Sequence, residues 1–144
     1  MMERTLNPLV QQYTDFLAQA GYEPSVDAEG DVYFKIQGGH YFLRVSEKDP
    51  LSFILLYPNF YAAKTEADRR RALEAASEVN TKTKAVKVFV AGGDTQATVE
   101  ILLAREGDFK DVFPRALELL QAGVGRFREI VRERAAWPQS CMKA

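Results

Sequence analysis

His40 and Cys141 are the only imidazole and the only thiol in the 144 residues. A catalytic histidine needs a partner to orient it and a substrate group within hydrogen-bond reach. His40 follows Gly38-Gly39 with no serine or cysteine nucleophile identifiable beside it, and so reads as a turn-flanking residue. One histidine and one cysteine far apart fall short of the ligand count of a structural zinc site. Asp27, Glu29 and Asp31 alternate around Gly30, yet Lys35 and Ile36 follow where a calcium loop would go on towards its bidentate glutamate. A solvated turn is the better reading. The residues therefore predict no catalytic group, no metal site and no cofactor, and an enzyme would require carboxylates such as Glu100 or Asp31 to act without visible partners.

Two glycine pairs, Gly38-Gly39 and Gly92-Gly93, each fall between strand patterns. A phosphate-cradling loop instead joins a strand to a helix whose N-terminus faces the anion. These pairs predict hairpin turns and no nucleotide site. The densest basic stretch is Arg69-Arg70-Arg71 with Lys82, Lys84 and Lys87; a second comprises Arg126, Arg128, Arg132 and Arg134. Consecutive helical arginines point about 100° apart and make no continuous face. Glu66, Asp68, Glu74 and Glu78 lie at pairing distances from the first group, and Glu129 and Glu133 from the second. Both read as solvated helix faces. A single-strand binder should show aromatics on an exposed sheet face. Tyr33, Tyr41 and Phe42 are candidates for that, but helices covering the sheet would bury part of the set.

The elements that carry these residues follow from periodicity. Asn7-Pro8 supplies a cap and a first-turn proline, and Leu9, Tyr13, Phe16, Leu17 and Ala20 recur at helical spacing up to Gly21. Residues 22–26 read as a short edge strand, because Pro24 cannot donate to a central ladder. Val32, Phe34 and Ile36 alternate before the first glycine pair; Tyr41, Leu43 and Val45 alternate after it. Leu51 to Tyr57 is apolar on both faces, which predicts a central or doubly covered strand. Thr65-Glu66-Ala67-Asp68 has the form of a capping box, opening a helix with Ala72, Leu73, Ala76 and Val79 on its apolar side. Strands over 85–91 and 96–104 form a hairpin about Gly92-Gly93-Asp94. A long last helix carries Val112, Phe113, Ala116, Leu117, Leu120, Val124, Phe127 and Val131, with Pro114 expected in its first turn. Gly123 and Gly125 predict either a kink or close packing there.

The net charge of −1 gives no global attraction to nucleic acid or anionic lipid. A charged fraction of 27% and a hydrophobic fraction of 47% suit a folded domain rather than a disordered chain. The longest apolar run, Phe53 to Tyr57, is far short of the ~20 residues of a membrane helix. No basic stretch followed by an apolar run opens the chain, and a lone cysteine makes no intrachain disulfide. The expectation is a cytoplasmic protein of one domain, residues 1–136, with a tail at 137–144 that contains Cys141.

Three stretches carry a family likeness: Leu17 to Tyr22, Asp27 to Phe34, and Ala75 to Asn80 with Lys84 to Val88. Together, in the order αβββαββα, they resemble the bacterial YbjN-type domains, within the type III secretion chaperone-like fold. The resemblance implies an α+β domain with a twisted antiparallel sheet, helices packed mainly on one side, and pairing into dimers. It also implies a family named for sensory transduction regulation. Chaperones of this shape hold an extended client segment through apolar patches and strand edges. They tend to be strongly acidic, and a pI near 5.9 departs from that.

These observations lead to a non-enzymatic protein-interaction module, chaperone-like or regulatory, with a protein partner or client and as a homodimer. The expected dimer interface is the alanine-rich helix and the neighbouring strand, with Leu73, Ala76, Val79, Val88 and Val90. The alternative is a small-ligand sensor with a pocket between the sheet and the last helix, lined by Phe34, Tyr41, Phe53 and Phe113.

Overall fold

The computed structural model describes residues 7–135. The expected tail, with Trp137 and Cys141, lies outside them. Helix α1 spans Pro8–Gln19; strands β1 (Ser25–Val26), β2 (Val32–Ile36), β3 (Gly39–Arg44) and β4 (Ser52–Tyr57) follow. Helix α2 spans Glu66–Lys82, and β5 (Val86–Ala91) and β6 (Asp94–Leu102) form the second hairpin. One 3₁₀ turn at Glu106–Asp108 leads into α3, Phe109–Ala135. The six strands form one antiparallel sheet in the order β1-β2-β3-β4-β6-β5. The observed order is αββββαββα: it follows the expected αβββαββα except for one more strand before α2, the two-residue edge strand β1 within the stretch 22–26.

Local chemistry sets the boundaries. The Asn7 side-chain oxygen accepts from the Leu9 amide at 2.9 Å, with Pro8 in the first turn. At the other end Gly21 takes φ +94°, so that the Tyr22 amide donates back to the Leu17 carbonyl at 3.0 Å. Thr65 Oγ1 caps α2 by accepting from the Asp68 amide at 3.1 Å. In the first hairpin the positive φ falls on Gln37 (48°) and Gly38 (84°), not on the Gly38-Gly39 pair. Gly39 is required for a different reason. A Cβ there would meet the rings of Tyr57 at 3.0 Å and Tyr41 at 3.1 Å.

Pro114 is the sixth residue of α3, deeper than the first turn expected for it. The carbonyl of exposed Lys110 loses its helical donor, and water is at hand to replace it. Gly123 resolves to close packing: its Cβ would lie 2.8 Å from Val86 Cγ1. Gly125 faces open space.

All three helices lie on one face of the sheet. That face presents Val32, Leu43, Leu55, Val99 and Val86 in one cross-strand row, each buried. Helix α1 and the start of α3 meet it through Tyr13, Phe16, Phe109 and Phe113, whose rings pack edge-on at 4.7–5.4 Å. Further along α3, Phe127 takes Phe60 and Tyr61 edge-on at 5.1 and 5.4 Å. The small side of α2, formed by Ala72, Ala75, Ala76 and Val79, is buried within the domain.

Candidate interaction surface

Because side chains alternate along a strand, the residues between those core positions point away from the helices. Tyr33, Phe42, Leu56, Thr98 and Lys87 stand opposite one another across β2, β3, β4, β6 and β5. They form one row on the face that carries no helix among the described residues, with Thr98 4% exposed within it. Beside it lie Arg44, Ile54 and Glu100 in a second row, and Phe89 opposite Gln96. Tyr33, Phe42, Ile54, Leu56 and Phe89 are half-buried by one another rather than by a covering helix. At one end Leu102 is 84% exposed. This is an apolar centre with a charged surround, the composition of a protein-contact surface.

The polar groups on this face are tied together. Tyr33 Oη and His40 Nδ1 are 2.6 Å apart with their rings stacked. His40 is thus on the open face beside the row, bonded to a tyrosine. Lys87 pairs with Glu100, and the Thr98 hydroxyl donates to the same carboxylate at 3.0 Å. The Lys87 contact first, and the Thr98 hydroxyl after it, hold the Glu100 carboxyl below the usual carboxylate range. Of the three aromatic residues singled out from the sequence, Tyr33 and Phe42 are on the open face and Tyr41 is in the core, 4% exposed.

Each edge of the sheet is narrowed at one place. β1 offers two residues directly after Pro24. On β5, the outward-facing backbone of Val88 is already paired: its amide donates to Asn80 Oδ1 at 2.8 Å, and its carbonyl accepts from Asn80 Nδ2 at 3.0 Å. An amide side chain from the end of α2 thus stands where a partner strand would bond. The partner-backbone route implied by the resemblance would have to use what remains of these edges, beside Val86 and Val90 on β5 or beyond β1 along β2.

The residues expected at a dimer interface are not brought together on one surface. Ala76, Val79 and Val88 are 4%, 0% and 2% exposed and are filled by packing inside the domain. Val90 is half-buried against the core, and Leu73 alone stands out, 45% exposed. Small residues on α2 do permit close approach, but the close neighbours are β5 and α3 of the same chain. The pocket expected between sheet and α3 is filled as well. Phe34 packs on Tyr41 and Phe113, and Phe53 is fully buried.

The basic helix groups are paired in part, and across helices as well as at i,i+3 and i,i+4 spacing. Arg70 meets Glu66 at 3.6 Å and Arg71 meets Asp68 at 3.8 Å. Across the helices, Arg126 reaches Glu78 at 3.6 Å and Arg134 pairs with Glu74. The Asp27–Asp31 segment is a self-bonded turn: Asp27 Oδ1 accepts from the amides of Glu29 and Asp31, both at 2.9 Å. Asp31 in turn accepts from the Val45 amide at 2.8 Å. Among the described residues no group of three or more His, Cys, Asp and Glu could hold a metal ion. No helix there is long and apolar enough to cross a membrane.

The fold and surface define an α+β domain with one covered sheet face, one open face and edges narrowed by β1 and by Asn80. The family model described as "YbjN: Putative bacterial sensory transduction regulator" matches residues 12–131, and the chain belongs to that family. A comparison with curated proteins gives no match.

Proposed function

We propose that this domain is a non-enzymatic regulatory module of the cytoplasm that acts by binding protein through the open face of its sheet. The observation that carries the reading is the row Tyr33–Phe42–Leu56, apolar, central and without a helix over it. The first partner is a second copy of the chain. Arg44 and Lys87 stand beside Glu100, so a two-fold arrangement can set opposite charges across the contact around an apolar centre. The family description, a regulator of sensory transduction, supports an activity read out through protein contacts.

Solution mass tests this directly. Wild-type protein at tens of micromolar should have twice the mass of the chain, and Phe42→Glu should have the single-chain mass with an unchanged circular dichroism spectrum. A wild-type monomer, or a Phe42→Glu dimer, overturns the proposal.

A further inference from the structure

Five arginines lie on α3, and their surroundings divide them sharply. Arg115 meets Glu118 at 3.3 Å, Arg126 meets Glu78, Glu129 and Glu133, and Arg134 meets Glu74 and Glu78. Arg128 and Arg132 have no carboxylate within salt-bridge distance among the described residues. They are one helical turn apart and share one face of α3. Both line a cleft of about 360 Å³ together with Arg71 of α2, Tyr61, Val131 and Ala135. Arg128 and Arg132 thus border the same open depression as Arg71, which also meets Asp68 at 3.8 Å, with an aromatic ring and an aliphatic side chain beside them.

Arg128 is held in place without a counter-ion. Its guanidinium lies 5.7 Å from the Tyr57 ring centre and 6.0 Å from that of Phe60, and it donates to Tyr57 Oη at 3.4 Å. A cation kept over aromatic faces retains its charge and most of its five donors. Arg132, in the last turn of α3, gains something from the helix C-terminus, but that influence fades before it reaches Arg128. Helix electrostatics therefore account for one of the two charges and leave Arg128, beside the same depression as Arg71, unexplained.

We propose that this cleft binds the phosphoryl group of a small organic phosphate, with Arg71, Arg128 and Arg132 on the oxyanion and Tyr61 and Val131 against its body. Phosphate is preferred over carboxylate on donor count. Three guanidiniums offer more N–H groups than two carboxylate oxygens can accept, whereas a phosphoryl group brings three acceptor oxygens and up to two charges.

The test uses the full chain with inorganic phosphate and pyrophosphate as probes, and sodium chloride and malonate at matched ionic strength as comparisons. Phosphate or pyrophosphate should raise Tm by several degrees beyond chloride and move the NMR signals of Val131 and Tyr61. Arg132→Gln should match or exceed the wild-type Tm in chloride, because it relieves repulsion among like charges, and should lose the phosphate increment. Arg115→Gln, equal in net charge, should keep the increment. An increment that survives Arg132→Gln, one lost equally in Arg115→Gln, a larger shift with malonate, or no shift with either phosphate probe overturns the proposal.

Discussion

The two faces of this sheet are built from the same strands and differ in what covers them. On the covered face, Leu55 lies between Leu43 and Val99 at 0% exposure, beneath three helices. One residue later, Leu56 lies between Phe42 and Thr98 with side chains around it and no helix above. Both are leucines in the middle of a central strand. The difference teaches that apolar character on β4 is buried packing on one side and a partly exposed surface on the other, the surface that the proposed contact would use. A protein that needed only stability would place polar residues at Phe42 and Leu56.

Truncation should expose that difference most strongly. Leu55→Ala should cost about 2–5 kcal/mol in chemical denaturation, because it removes packed atoms and leaves a cavity. Leu56→Ala should cost about 1 kcal/mol, because the site is already partly open to solvent. Equal losses would mean that the second face is covered in solution.

The glycines of α3 give the next contrast. Gly123→Ala should destabilise by about 1–3 kcal/mol, since its Cβ would press on Val86 at 2.8 Å beneath the covered face. Val86→Ala in the same chain should recover part of that loss. Gly125→Ala, with nothing within 4 Å, should stabilise by about 1 kcal/mol through helix propensity. Denaturant midpoints of the three variants decide the matter.

Tyr13 sharpens the picture of the covered face as a dry interior. Its hydroxyl is buried with no hydrogen-bond partner among the described residues, and burial first, then Glu106, pushes its pKa up to about 12. In the unfolded chain the phenol ionises near its ordinary 10.0, while the folded one keeps its proton. Between those values the unfolded state binds fewer protons, so stability falls as pH rises through the window. Tyr13→Phe should raise stability at neutral pH by about 1 kcal/mol, since an unsatisfied buried hydroxyl is removed. It should also flatten the alkaline loss. The smallest effect belongs to the open face: Lys87→Met, which breaks an exposed pair with Glu100, should change the unfolding free energy by under about 1 kcal/mol.

Local signals in the chain were enough for most of the fold. Asn7-Pro8, Gly21 and Thr65 mark helix ends where the backbone confirms them, because capping depends on neighbours in sequence. Alternation placed Val32, Phe34, Leu43 and Val99 in the core for the same reason. What lay beyond local reading depends on partners far along the chain. Leu51 to Tyr57 is apolar on both sides, so the pattern alone left open whether its second face was covered. Asn80 carries no periodic signal, yet it narrows the edge of β5 through Val88, which only the folded path of α2 brings near. The alanines of α2 announced close packing without naming the neighbour, and a second chain was expected where β5 and α3 of the same chain stand. Pro114 was expected in a first turn because the 3₁₀ lead-in at Glu106–Asp108 has no clear signature.

The most direct test of the open face as the contact surface is site-specific photo-crosslinking in living cells. A photoreactive phenylalanine analogue would replace Phe42 on the open face in one chain and Leu73 on exposed α2 in another. The account predicts an adduct of two identical chains from position 42 and none from position 73. An adduct from position 73, with position 42 silent, would move the contact surface to α2 and contradict the reading of the sheet given above.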